Sequence, residues 1–276
     1  MPTRLDVAYD MRSDALRKQM AVYAIGMFMG LEAYRDADAD RFALQLVPRI
    51  DAGQRQMAML TDAYVARSAA DVLGTAIVRG GVSAATTLAL RGIAGEDVFR
   101  RPFATMHNEL ARGSTVTQAV KAGGDRLQSL VTTGSQLAKT HAAQDSLERA
   151  GIEQYQRVLT GRENCALCVI ASTQRYRVGE LMPIHPGCDC GIRGFKGDPE
   201  QQVINPTLLS NTHDEIARRM GLSDPQARDL GIGKTVQYGD TSRLADFTEL
   251  IVAREHSEIG PILSWRSDQF TGPADF

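Results

Sequence analysis

The chain has 276 residues, 43% of them apolar, which is enough for one large or two ordinary domains around a real core. A formal charge of −2 argues against a surface built wholly to grip nucleic acid, although a local basic face remains compatible with it. The start, MPTRLDVAYDMRSDALRKQ, lacks the basic-then-apolar run of a signal peptide, and the longest uncharged stretch, Gln19 to Leu31, is far shorter than a bilayer span. A product made in a cytoplasm, with no membrane segment, is expected.

Leu16, Met20, Tyr23, Met27, Leu31 and Tyr34 recur at spacings of three and four, which predicts a helix over 5–35. DADAD, residues 36–40, resembles the first half of a calcium loop. Arg41 stands where that loop needs glycine and Val47 where it needs glutamate, so a solvated linker whose last aspartate caps the next helix is expected. Leu60, Ala63, Ala66, Ala70, Leu73 and Ile77 predict a second long helix, whose alanines would let a neighbour approach closely. Pro48 is expected to end or kink the element before it.

RGGVSAA breaks the chain near 79–85. ATTLALRG and RPFATMHNELARG then read as shorter helices closed by glycine. Gly123 and Gly124 read as a further interruption, followed by a helix over 125–149. The first 150 residues are expected to form a helical domain.

At Gly151 the texture changes. IEQYQRVLTG and QRYRVGEL are short, rich in β-branched and aromatic residues and bounded by glycine, so both predict strands. Residues 201–255 read as a mixed region with helices near 212–220 and 241–255, and 256–276 as an extended C-terminal arm carrying Ile259, Ile262, Leu263, Trp265 and Phe270. That arm is expected either to dock on a partner or to close the chain's own core. The fold class is therefore mainly α with a small β-containing lobe over 151–200.

All four cysteines fall in that lobe. Cys165 and Cys168 form a CxxC turn that aims two thiolates at one point, and Cys188 and Cys190 can supply the other half of a tetrahedral zinc site. Four such ligands close a structural Zn²⁺ site with no position open for catalysis. His185 in HPGCDC is the alternate ligand, or a hydrogen-bond partner to a thiolate. Reduced core thiols or two disulfides are the competing readings. Losing a ligand should unfold the 151–200 lobe and leave the helical half standing.

CALC, the spacer YRVGELMPIHPGCDC and the helical lead-in resemble the MuF-like minor head proteins of tailed bacteriophages, in which a CxxC precedes an HPxCxC segment. The ending EIGPILSWRSDQFTGPADF resembles the C-terminus of such proteins in phages of actinobacteria. The motif match covers about 155–195 and the tail about 256–276; the helical half matches in character alone. The resemblance implies a minor capsid or head-morphogenesis component, located in the virion inside the head near the portal. Its partners would be the portal protein, the major capsid protein, or both, with packaged DNA as a further contact. The positions carried over are Cys165, Cys168, His185, Cys188 and Cys190.

No enzyme is expected. GIGKT, 231–235, ends like a phosphate loop, but Arg228 occupies the position of its first glycine and the preceding residues are polar. His107, His141, His213 and His256 are scattered, with no GxSxG or HExxH. The alternatives are a metal-dependent nuclease acting through His185, for which 191–205 supplies no second histidine or asparagine at helical spacing, and a capsid maturation protease, for which no nucleophile setting is found.

Overall fold

The computed structural model describes residues 2–77, 79–80, 85–160, 171–172, 175–180 and 190–196, together with the backbone of strands at 235–238, 241–244, 251–256 and 260–265. It is mainly helical, with a small three-stranded antiparallel sheet. Among the described residues no helix is long and apolar enough to cross a membrane.

Helix α1 spans Arg4–Met29. Thr3 caps it by accepting from the Asp6 N–H at 3.3 Å, while the Asp6 carboxylate accepts from the Thr3 hydroxyl at 2.7 Å. The helix stops short of the expected residue 35. The Phe28 carbonyl is taken by the Tyr34 hydroxyl at 3.2 Å and by the Leu31 N–H, and a new helix start then claims 35–38.

Helix α2, Asp36–Leu73, runs unbroken through Pro48. Pro48 and Leu44, the residue whose carbonyl loses its partner to the proline, both lie on the exposed face, where solvent can satisfy that carbonyl. The expected end or sharp kink is thus replaced by continuous helix. DADAD is not a linker either, because it forms the first turn of α2. Asp38, not Asp40, caps it, accepting from the Arg35 N–H at 3.1 Å and from Arg35 Nε at 3.0 Å. Its carboxylate is thereby occupied by a cation.

Helix α3, Thr87–Arg91, ends at Gly92 with φ of 66°, as its closing glycine predicts. Helix α4, Gly95–Ala111, begins well before Pro102 and carries that proline inside. Helix α5, Val116–Arg149, contains both Gly123 and Gly124 without interruption. A Cβ at Gly123 would lie 2.9 Å from Phe28 Cζ and 2.9 Å from the Pro102 carbonyl oxygen. The glycine exists for close helix packing; it is not a breaker.

That contact sits in the larger core, where Phe28, Phe42 and Phe103 meet edge to face at centroid distances of 5.2–5.7 Å. Met20, Ala24, Leu46, Val98 and Leu127 complete it. On α1 the buried stripe runs through Tyr9, Ser13, Met20, Ala24 and Phe28, so Tyr23, expected on the core face, is 44% exposed.

After α5 come strands β1, Gln154–Val158, β2, Arg175–Arg177, and β3, Gly191–Phe195, in the order β2-β1-β3. Sequence reading anticipates the first two; β3, a GIRGF segment, it leaves unassigned. Strands β4, Thr235–Tyr238, and β5, Thr241–Leu244, form one antiparallel hairpin, and β6, Ile251–His256, and β7, Gly260–Trp265, form another. The helix expected over 241–255 is therefore replaced by β5 at its start and β6 at its end, and 245–250 and 212–220 lie outside the described residues. The expected arm is extended over Gly260–Trp265, but it is paired rather than isolated, with Trp265 opposite Ile251 and Gly260 opposite His256. Residues 259 and 270 lie outside the described residues.

Candidate metal centre

Strand β1 is the centre of the small sheet. It pairs with β2 through Tyr155 opposite Tyr176, and with β3 from Gln154 opposite Phe195 to Val158 opposite Gly191. The antiparallel register places three chain positions at one end of the sheet: the exit of β1, the entry of β2 and the entry of β3. Cys190 is the residue that enters β3 there.

Cys190 is 5% exposed, and Arg157, equally buried, directs Nη1 to its sulfur at 3.6 Å. A charged N–H donor of this kind is what a metal-bound thiolate accepts from its surroundings. The Arg157 guanidinium lies 5.4 Å from the Tyr155 ring centroid, and Tyr155 stacks on Tyr176 at 5.2 Å. The sulfur thus meets a cation that itself lies against a stacked aromatic pair. Cys165, Cys168, His185 and Cys188 lie outside the described residues, so Cys190 is the one predicted ligand with a described environment. Among the described residues no three His, Cys, Asp or Glu side chains gather as a metal site.

Beneath the sheet lies a buried polar cluster that sequence reading misses. Asp6 is 1% exposed and accepts from the Tyr64 hydroxyl at 2.7 Å and from Arg193 of β3. Tyr9 stacks on Tyr64 with centroids 4.1 Å apart, and Lys139 of α5 places Nζ 5.3 Å from the Tyr9 ring centre. The Tyr9 and Thr61 hydroxyls are 2.8 Å apart; Thr61 donates to the Met57 carbonyl at 2.9 Å, so Tyr9 is the donor between them. Burial pushes the acidities of both tyrosines to higher pH, so both remain neutral donors. The available signals are the Thr3-x-x-Asp6 cap and Arg193 alone among the apolar residues and glycines of β3. Neither reveals the long-range pairing.

A second buried carboxylate, Asp62, accepts from Ser146 at 2.7 Å, from Arg149 at 3.2 Å and from the Gly80 N–H at 2.9 Å. Both acidic centres spend their oxygens on fixed donors, which suits bracing better than proton transfer. His107 and His141 are exposed on α4 and α5; His213 lies outside the described residues, and His256 ends β6. The GIGK of the loop that resembles a phosphate-binding segment lies outside them as well, and Thr235 opens β4.

No protein-family model, curated protein or solved structure compared with the chain matches it.

Proposed function

We propose that the chain is a structural minor capsid protein of a tailed bacteriophage, active in head morphogenesis at the portal or the inner capsid face, and stapled by a structural Zn²⁺ ion. Its place is the virion, with the portal protein, the major capsid protein or both as partners and packaged DNA as a further contact. Cys165, Cys168, Cys188 and Cys190 hold the metal, with His185 as alternate ligand or thiolate partner.

The observation that carries this reading is the CALC and HPGCDC pair, with Cys190 buried against Arg157 at the end of the sheet where β1 exits and β2 and β3 enter. Ala171, three residues after Cys168 in the sequence, is itself fixed, its carbonyl accepting from the Tyr176 hydroxyl at 3.0 Å. The donors are thiolates, the ligand class that zinc takes in closed structural sites.

When bound, zinc would cross-link the segments that precede β2 and β3, and the protein would keep Cys190 oriented through Arg157. Elemental analysis of the purified chain, of Cys165→Ser and of His185→Ala tests this. One zinc per chain, lost with the cysteine and kept with the histidine, supports a four-cysteine site. No zinc, with thiols free or paired, overturns the metal assignment. Co-sedimentation with a tailed-phage portal protein and major capsid protein tests the assembly role, and failure to bind both overturns it.

A further inference from the structure

An open groove of about 490 Å³ lies between the solvent-facing sides of α1 and α2. Leu16, Leu60, Ala15 and Ala63 form its apolar floor, and Met59, 59% exposed, stands on its wall. Apolar exposure continues along α1 at Met11, 68% exposed, and Val22, 70% exposed. Among the described residues these side chains are left uncovered beside the groove.

The charge around this groove is one-sided. Arg12 and Arg79 line it and are exposed, and neither has a hydrogen-bond or ion-pair partner among the described residues. Among the described residues no acidic side chain lines it. Asp14 on α1 is engaged by Arg17 at 2.6 Å and Lys18 at 2.7 Å, and Asp62, next to the Gly80 backbone, is satisfied by Ser146 and Arg149. A protein of net charge −2 thus sets two guanidinium groups, without a partner among the described residues, beside apolar surface.

Both arginines stand at the same end. Helices α1 and α2 run antiparallel, with Tyr9 level with Thr61 and Met20 packed against Gly53. Arg12 is consequently level with the Leu60 end of the groove, and Arg79 joins it because Gly80 is tied to Asp62. Gln19 and Gln56 close the opposite end. From Arg12 to Gln19 the groove covers about 10 Å, two helical turns.

We propose that this groove receives an amphipathic helix of a protein partner, laid with apolar side chains at i, i+3 or i+4, and i+7 on Leu16, Leu60 and Met59. Its C-terminal turn, bearing aspartate or glutamate, meets Arg12 and Arg79. The orientation follows from charge, because a helix C-terminus carries negative partial charge that adds to its carboxylates. The apolar floor disfavours a phosphate backbone, which would gain from the arginines and lose against Leu60 and Met59. The inference stands independently of the minor-capsid reading.

Selection of a displayed library of helix-forming peptides, randomised on one face and in the last turn, against the full chain tests it. Enriched peptides should share apolar residues at that spacing and acidic residues in the last turn. Their synthetic forms should weaken at least roughly tenfold on Arg12→Glu with Arg79→Glu, and on Ala15→Trp, which fills the groove, while circular dichroism stays unchanged. Absence of enrichment, enrichment without the acidic turn, or affinities unaffected by these substitutions overturns the proposal. So does binding of a duplex DNA probe that vanishes in the arginine variants while no peptide is enriched.

Discussion

Arg193 and Asp6, 187 residues apart in the sequence, form an ion pair that fastens β3 to the first turn of α1. Asp6 is buried and Arg193 is 19% exposed at its side chain, so the pair lies in a medium that screens it little. Tyr64 of α2 holds the other carboxylate oxygen at 2.7 Å. One carboxylate therefore joins a helix start, a second helix and the sheet that carries Cys190.

Removing it should be costly. Asp6→Ala leaves a half-buried guanidinium and a buried hydroxyl without their acceptor, and the loss expected is about 3–5 kcal/mol in urea denaturation. Arg193→Met should cost less, because the carboxylate keeps Tyr64 and Thr3 as donors. In the double-mutant cycle the combined loss should fall short of the sum of the single losses; strict additivity would show that the two groups are not coupled.

Gly123 and Gly124 are adjacent in one helix and should respond in opposite directions to alanine. At Gly123 the new methyl meets the Phe28 ring and the backbone oxygen of Pro102, which cannot swing aside, so Gly123→Ala should lower stability by roughly 1–3 kcal/mol despite better helix propensity. At Gly124 the nearest atom is Met29 Sδ at 4.0 Å, an ordinary contact. Gly124→Ala should raise stability by up to about 1 kcal/mol. Thermal melts of the two variants decide it.

These glycines also show where sequence reading stops. Periodicity identifies α1 and the second half of α2 because amphipathic spacing is local, and closing glycine identifies α3 because a left-handed cap is local too. Gly123 and Pro48 mislead because the same residue types break helices or permit packing according to what lies opposite, which is tertiary information. For 241–255, helical periodicity competed with a hairpin signal, the two residues Gly239-Asp240 between β4 and β5, and the strands won. The spacing of the cysteines singles out Cys190 in the sequence. Its Arg157 partner is not singled out, since alternation along β1 gives a face but names no contact.

Asp14 and Asp38 link stability to pH. Partial burial would raise the Asp14 pKa, but hydrogen bonds and charge from Lys18 and Arg17 outweigh it and hold the group below its usual range. Arg35, through its side chain and then its backbone N–H, holds Asp38 low as well. A carboxylate depressed in the folded state contributes stability above its unfolded value, near 4, and loses it as pH falls through the folded value. Melting temperature should therefore drop as pH is lowered from about 5 to below 4, and Asp38→Asn should flatten that slope. An identical slope in Asp38→Asn would remove the group from the linkage.

The sheet and the helices share a core, and this changes what loss of the proposed zinc should do. Tyr155 and Ile192 of the sheet pack in one cluster with Tyr9, Tyr64, Val65 and Leu147 of α1, α2 and α5, so residue 150 does not divide two cores. The independence expected of the 151–200 lobe is thereby replaced by coupling through Arg193, Asp6 and this cluster. Zinc binding in a structural site can contribute on the order of 10 kcal/mol to folding. Chelation, or Cys165→Ser, should therefore lower the melting temperature of the helical ellipticity along with that of the tyrosine near-ultraviolet signal. Asp6→Ala should uncouple the two transitions. A helical transition untouched by chelation of a chain shown to contain zinc would restore the view of two independent parts and leave the ion pair as a contact without consequence for the metal centre.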